Sequence, residues 1–228
     1  MSVELENQTP KFPPGAGFGL ALGIASMGVC WIVIGSGIGL FFGGIIFAAL
    51  LVPPLVLGEE KLTRRILVAI GVNVGIAIVW LGSVGFSSQT VSQFILCYVA
   101  LFAWCLALAG LSILLRSLLR RAIPASCVAI VIGIMWLSWP IWLAQYLPEH
   151  QGLVEYLVPP HPLFLVNSVL KDQGIWSERP IAYRYLFTLG QDVPYELPRS
   201  VVPMIALHGL IGGIGLVVCG FAGGKARR

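Results

Sequence analysis

The two longest charge-free stretches of this chain run 47 residues at 12–58 and 50 residues at 66–115. A helix that crosses a bilayer needs roughly 20 mainly apolar residues, so each run has room for two. A single helix through about 40 residues would be about 60 Å long, twice the hydrocarbon thickness. Each run therefore turns back on itself. With 57% hydrophobic and 11% charged residues, the chain falls well below the roughly 25% charge of a water-soluble domain. It reads as an all-α polytopic membrane protein.

Apolar runs and their breakers predict six spans, at about 17–35, 38–57, 66–82, 92–115, 123–146 and 200–222. The glycines of GSGIG (35–39) permit the first turn, and the polar patch SSQTVSQ precedes the fourth span. The organisation is then a tail (1–16), five helices (17–146), a polar segment (147–199), and a sixth helix with a basic tail (200–228). The opening residues lack the basic-then-apolar plan of a cleaved signal, so the first helix is expected to stay as an anchor.

Basic residues follow the even-numbered spans: Lys61, Arg64 and Arg65, then Arg116, Arg120 and Arg121, then Lys225, Arg227 and Arg228. With six spans, all three clusters share one side with the N-terminus. Positive residues in short loops mark the cytoplasmic side, which predicts a protein integral to the cytoplasmic (inner) membrane with both termini in the cytoplasm. The net charge of +4 sits in short clusters at helix ends, not in a stripe with interleaved aromatics, and this argues against nucleic acid as a partner.

The 147–199 segment is read as an ordered extracytoplasmic cap. PHPLFLVNSVLKD (160–172) has partly helical spacing, through Leu163, Leu165, Val166 and Val169, and is expected to lie at the interface. Trp176, Tyr183, Tyr185 and Tyr195 suit the same interface. Trp136, Trp139 and Trp142 crowd the outer end of the fifth span, as interfacial anchors or as the lining of an exit gate.

Chemistry is sparse. No charged residue falls inside a span, which argues against a carrier built on buried carboxylates. His208, Asn73 and Gln145 read as hydrogen-bonding partners of neighbouring helices. The five cysteines (Cys30, Cys97, Cys105, Cys127, Cys219) read as small hydrophobes without a CxxC. His150 and His161 share the polar segment with Glu149 and Glu155, which would allow a surface metal site, but no HxxxH or HExxH spacing occurs. Nucleotide-binding and hydrolase motifs are missing as well, so no catalytic residue, metal or cofactor is assigned.

Six spans with cytoplasmic ends, a charged loop after the second, and the largest external segment between the fifth and sixth together resemble a type-2 ABC transporter permease. LVPPLVLGEEKLTRRIL (51–67) is similar to that family's apolar helix running into a coupling stretch, and LAGLSILLRSLLRRAIPAS (108–126) to its fourth span and basic turn. The resemblance implies an exporter subunit that has no nucleotide site of its own. It would receive force from a separate ATPase through Glu59, Glu60, Lys61, Arg64 and Arg65, and would pair with a second copy or a related permease to enclose a path.

Two other readings stay open. The chain could be a structural or assembly subunit of a larger membrane complex. EExxxR over Glu59–Arg64 also resembles the first motif of the CAAX-protease-like intramembrane proteases, which implies a glutamate activating water near later histidines.

Overall fold

The computed structural model describes residues 14–35, 38–84, 90–143, 145–170 and 196–225. Among these it is all-helical: α1 (Pro14–Ile34), α2 (Ile38–Gly58), α3 (Leu62–Val84), α4 (Val91–Leu119), α5 (Ala122–Trp142), α6 (Gln151–Leu157), α7 (Pro162–Leu170) and α8 (Val202–Lys225). Five of these, α1 to α5, are long and apolar enough to cross a membrane. The apolar part of α8, Val202–Val218, is shorter. A bilayer offers no partner for a bare N–H or C=O, and the helix satisfies both internally. The molecule is thus a helical membrane protein. Arg227, Arg228 and the aromatics Trp176, Tyr183, Tyr185 and Tyr195 lie outside the described residues.

Lipid tails are as apolar as leucine, so close packing and interhelical hydrogen bonds must hold such helices together. Two glycine crossings supply the packing. In the first, α1 lies against α3. A Cβ on Gly19 would sit 2.6 Å from Val68 O, and one on Gly75 would sit 2.5 Å from Leu20 O. In the second, α8 lies against α4, where a Cβ on Gly110 would sit 2.6 Å from the Gly212 Cα. Only glycine fits at these points. Gly44, in the glycine-rich GSGIGLFFGG, accommodates the Trp80 ring, which stacks on Phe41 at 4.6 Å.

Two helices share the centre: α4 touches α2, α3, α5, α7 and α8, and α2 touches α1, α3, α4, α5 and α7. Two indoles bond to the α2 backbone: Trp80 Nε1 donates to Leu40 O (2.9 Å) and Trp104 Nε1 to Ile45 O (3.0 Å). At about 0.6 kcal/mol each, such bonds fix register more than stability. Pro53 and Pro54 stand inside α2.

The contacts give the helix directions. α1 parallels α3, with Gly19 at Val68 and Gly23 at Val72. α2 parallels α4, with Ile45 at Trp104 and Leu57 at Arg116. α8 parallels α4, with His208 at Trp104 and Gly212 at Gly110. α5 turns back beside α4, with Gly133 at Leu108. The start of α1, the α2–α3 link, the α4–α5 link and the end of α8 therefore share one end of the bundle. Lys61, Arg64, Arg65, Arg116, Arg120 and Arg121 lie at that end, as do Glu59 and Glu60.

At the opposite end α6 and α7 fold back onto the bundle. α7 does not lie flat on a surface. Phe164, Leu165, Val166 and Leu170 are buried, and α7 packs on α4 and α2. Thr90 caps α4 with a reciprocal Gln93 box, and Gln93 Nε2 donates to Val169 O (3.1 Å), joining α7 to the start of α4. Trp139, Leu147, Val154, Val158 and Phe164 form a small second core under this cap.

Candidate functional site

The segment Gly58–Arg65 ends α2 and begins α3. The last carbonyls of a helix have no intrahelical N–H, and two guanidinium groups serve them here. Arg65 Nε donates to Glu59 O (2.7 Å) and Arg116 Nη1 donates to Leu57 O (2.9 Å). Cations at a helix C-terminus also meet the negative end of its dipole. The third span therefore begins at Leu62, four residues ahead of the sequence expectation, because Thr63, Arg64 and Arg65 belong to its first turn. Arg65 is 8% exposed, so it anchors the segment from inside. Glu60, Lys61 and Arg64 are exposed and Glu59 is half-buried, its carboxylate close to Gly15 of α1. The result is a short polar knuckle fixed on two helices.

Toward the other end, Pro140 interrupts the α5 ladder. Proline has no N–H, so the Trp136 carbonyl loses its partner four residues on. His161, just before α7, replaces it: its Nε2 lies 3.1 Å from Trp136 O. Phe164 N–H donates to His161 Nδ1 (3.4 Å). One nitrogen accepts, so the other carries the proton, and the neutral ring satisfies both contacts. His161 is 1% exposed, and burial pushes its pKa down to about 3, against the opposing effect of the Trp136 carbonyl.

The three tryptophans divide. Trp139 is buried, edge-on to His161 with centroids 6.0 Å apart. Trp136 is half-buried between His161 (5.8 Å) and His208 (6.4 Å). Trp142 is exposed, and its Nε1 bonds to Met135 O of its own helix (3.0 Å). Trp142 thus faces away from the cluster that Trp136 and Trp139 join.

Among the described residues His208 bonds within its own helix and not to a neighbour: its Nδ1 lies 2.8 Å from Met204 O. The ring packs edge-on to Trp104 at 5.3 Å. A cavity of about 280 Å³ lies here between α4, α5 and α8, with Trp104, Gly133, Trp136, His208 and Ile211 among its walls. Asn73 on α3 reaches α4, Nδ2 to Cys105 Sγ at 4.0 Å, but among the described residues its buried Oδ1 has no partner, and neither do Trp136 Nε1 and Trp139 Nε1. Gln145 is exposed.

The glutamates and the buried histidines do not meet. Ile45 accepts from Trp104, which packs on His208, and it precedes Gly58 by thirteen residues, a rise of about 20 Å. His150 is exposed near Tyr146 O while His161 is turned inward. Among the described residues no group of three or more His, Cys, Asp or Glu side chains gathers to hold a metal. Cys30, Cys97 and Cys105 are buried and free, and Cys127 is exposed and free.

Compared with family models, with curated proteins and with solved structures, the chain matches none.

Proposed function

We propose that this chain is a six-span permease subunit of an ABC-type exporter, driven by a separate ATPase that docks on the Gly58–Arg65 knuckle. One observation carries the reading. Two guanidinium anchors, on Glu59 O and Leu57 O, make the exposed Glu60, Lys61 and Arg64 rigid extensions of α2 and α3. Force applied to such a segment moves both helices, and its mixed charges suit a polar groove on a partner. In this proposal α8 is the sixth span, in the same sense as α2 and α4, and the basic end faces the cytoplasm. A second copy, or a related permease, completes the path.

The separation of Glu59 and Glu60 from His161 and His208 weighs against the protease reading, in which they act on one water.

The test is purification of the tagged chain in mild detergent, followed by identification of what co-elutes. A protein with a nucleotide-binding loop, in near-equal amount, is the expected result. Paired reversal of Glu60 and Arg64 should then uncouple its hydrolysis from export while insertion stays normal. Recovery of a large complex without an ATPase would replace the proposal with a structural-subunit role.

A further inference from the structure

Two arginines make the whole connection between α4 and α5. Arg120 closes α4, and Arg121 is the residue before α5. The Arg120 backbone has φ 57°, in the left-handed region, and among the described residues no other non-glycine residue does. Helices commonly end on a residue in that conformation, but it is usually glycine, because a Cβ strains the backbone there. A residue held against its backbone preference is a pointer to function. The turn itself has no need of an arginine, so the reason for one lies in its side chain.

Arg120 and Arg121 are exposed, and among the described residues neither has an ion pair or a side-chain hydrogen bond. Arg65 and Arg116, by contrast, serve backbone carbonyls. No acid occurs between Glu60 and Glu149, so α4, α5 and their link supply no counter-charge. Around the pair stand Leu118, Leu119 and Ile123, large, apolar and exposed, Leu118 by 68% and Ile123 by 79%. Acyl chains suit these side chains better than water does. Depth agrees. At 29 residues, α4 is about 43 Å long, which matches the roughly 40–45 Å of a bilayer with its headgroups and exceeds the roughly 30 Å of its hydrocarbon. The last turn of α4 thus reaches the level of the lipid phosphates, with apolar side chains beside two unpaired cations.

We propose that the α4–α5 elbow is a binding site for the headgroup of an anionic phospholipid. The guanidinium groups of Arg120 and Arg121, whose planar forks match phosphate oxygens two at a time, hold its phosphate, while Leu118, Leu119 and Ile123 lie along the first part of its acyl chains. A zwitterionic lipid has the same phosphate but carries its own cation beside it, so net charge makes the selection. The site does not depend on the transport reading, and the experiment below needs no ATPase.

The test is photolabelling of the full chain in phosphatidylcholine nanodiscs. Two probes carry a diazirine near the headgroup end of the same acyl chain: phosphatidylglycerol, which is anionic, and phosphatidylcholine, which is not. At about fivefold per arginine, phosphatidylglycerol should label residues 117–124 about thirtyfold more than phosphatidylcholine does. Raising salt from about 0.1 M to about 1 M shortens the screening length from about 10 Å to about 3 Å and should erase most of that preference. Arg120→Gln with Arg121→Gln should bring phosphatidylglycerol down to the level of phosphatidylcholine. Arg120→Gly accepts the left-handed backbone without strain and so keeps the turn. It should leave a preference of about fivefold, and it keeps the test decisive if the double variant does not fold. Equal labelling by the two probes, a preference unchanged in either variant, or displacement of the phosphatidylglycerol probe by inorganic phosphate at constant ionic strength would each overturn the proposal.

Discussion

Two places in this bundle meet the same difficulty with different chemistry. At the end of α2, Leu57 and Glu59 offer carbonyls that the helix cannot pair; in α5, Pro140 strips the Trp136 carbonyl of its partner. The first pair receives guanidinium groups, from Arg116 and Arg65. The second receives a neutral imidazole, from His161. Surroundings account for the choice. Arg116 is half-buried and Arg65 has a trace of exposure at a polar end of the bundle, where a charge keeps some solvation. His161 lies under the α6–α7 cap among Trp136, Trp139 and Phe164. A lasting charge there would be expensive to desolvate, and an uncharged donor makes the bond without that cost.

The comparison is most exposed to failure at His161. His161→Ala leaves the Trp136 carbonyl and the Phe164 N–H unpaired and opens a void, so a loss of about 3 kcal/mol is expected in reversible unfolding. Adding Pro140→Ala restores the missing N–H and should recover about 1 kcal/mol of it. A double-mutant cycle without such coupling would show that His161 does not stand in for the proline.

Acid should act on the same site. The folded-state pKa of about 3 is below the usual value of about 6.5, so the unfolded chain takes up the proton first. The contribution of His161 is full above pH 6.5 and is lost as pH falls toward 3. By pH 5 about 2 kcal/mol is at stake. Hydrogen exchange in α7 should accelerate over that window, and His161→Asn should flatten the response.

At the basic end the effects should be smaller and graded by exposure. Arg65→Ala is expected to cost about 2 kcal/mol and Arg116→Ala about 1, because water reaches the second site more easily. Equal losses in thermal unfolding would contradict the role given to solvent access. Smallest of all, Glu60→Lys and Arg64→Glu should shift stability by no more than about 0.5 kcal/mol, leaving any loss of coupled hydrolysis attributable to the partner surface.

Much of the bundle was legible in the sequence because lipid imposes one rule, about 20 apolar residues per crossing. The predicted spans at 38–57 and 92–115 fall within α2 and α4 as observed. The α7 helix was visible in its spacing, but its burial was not: Phe164 and Leu170 needed the α2 and α4 surfaces to show which face turns inward. The charges of 58–65 were visible, yet the anchoring by Arg65 was not, since its acceptor is a backbone carbonyl that carries no letter. In the sequence His161 looks like a loop residue, as His150 does. The signal that could have found it is Pro140, an interruption in an apolar helix that requires a donor from elsewhere. The glycine crossings were legible only in part, because spacing marks small residues without saying which helix approaches them.

The claim on which the account turns is that the rigid basic end and the histidine-sealed end lie on opposite sides of the membrane, with the Gly58–Arg65 knuckle inside the cell. Glu60→Cys and Glu155→Cys, both at exposed positions, test it with a membrane-impermeant maleimide on intact cells, scored above the background of the unmodified chain. The account predicts that the Glu155→Cys protein is labelled from outside and the Glu60→Cys protein only after permeabilisation. Labelling of the Glu60→Cys protein in intact cells would contradict it, and would remove the knuckle from reach of any cytoplasmic ATPase.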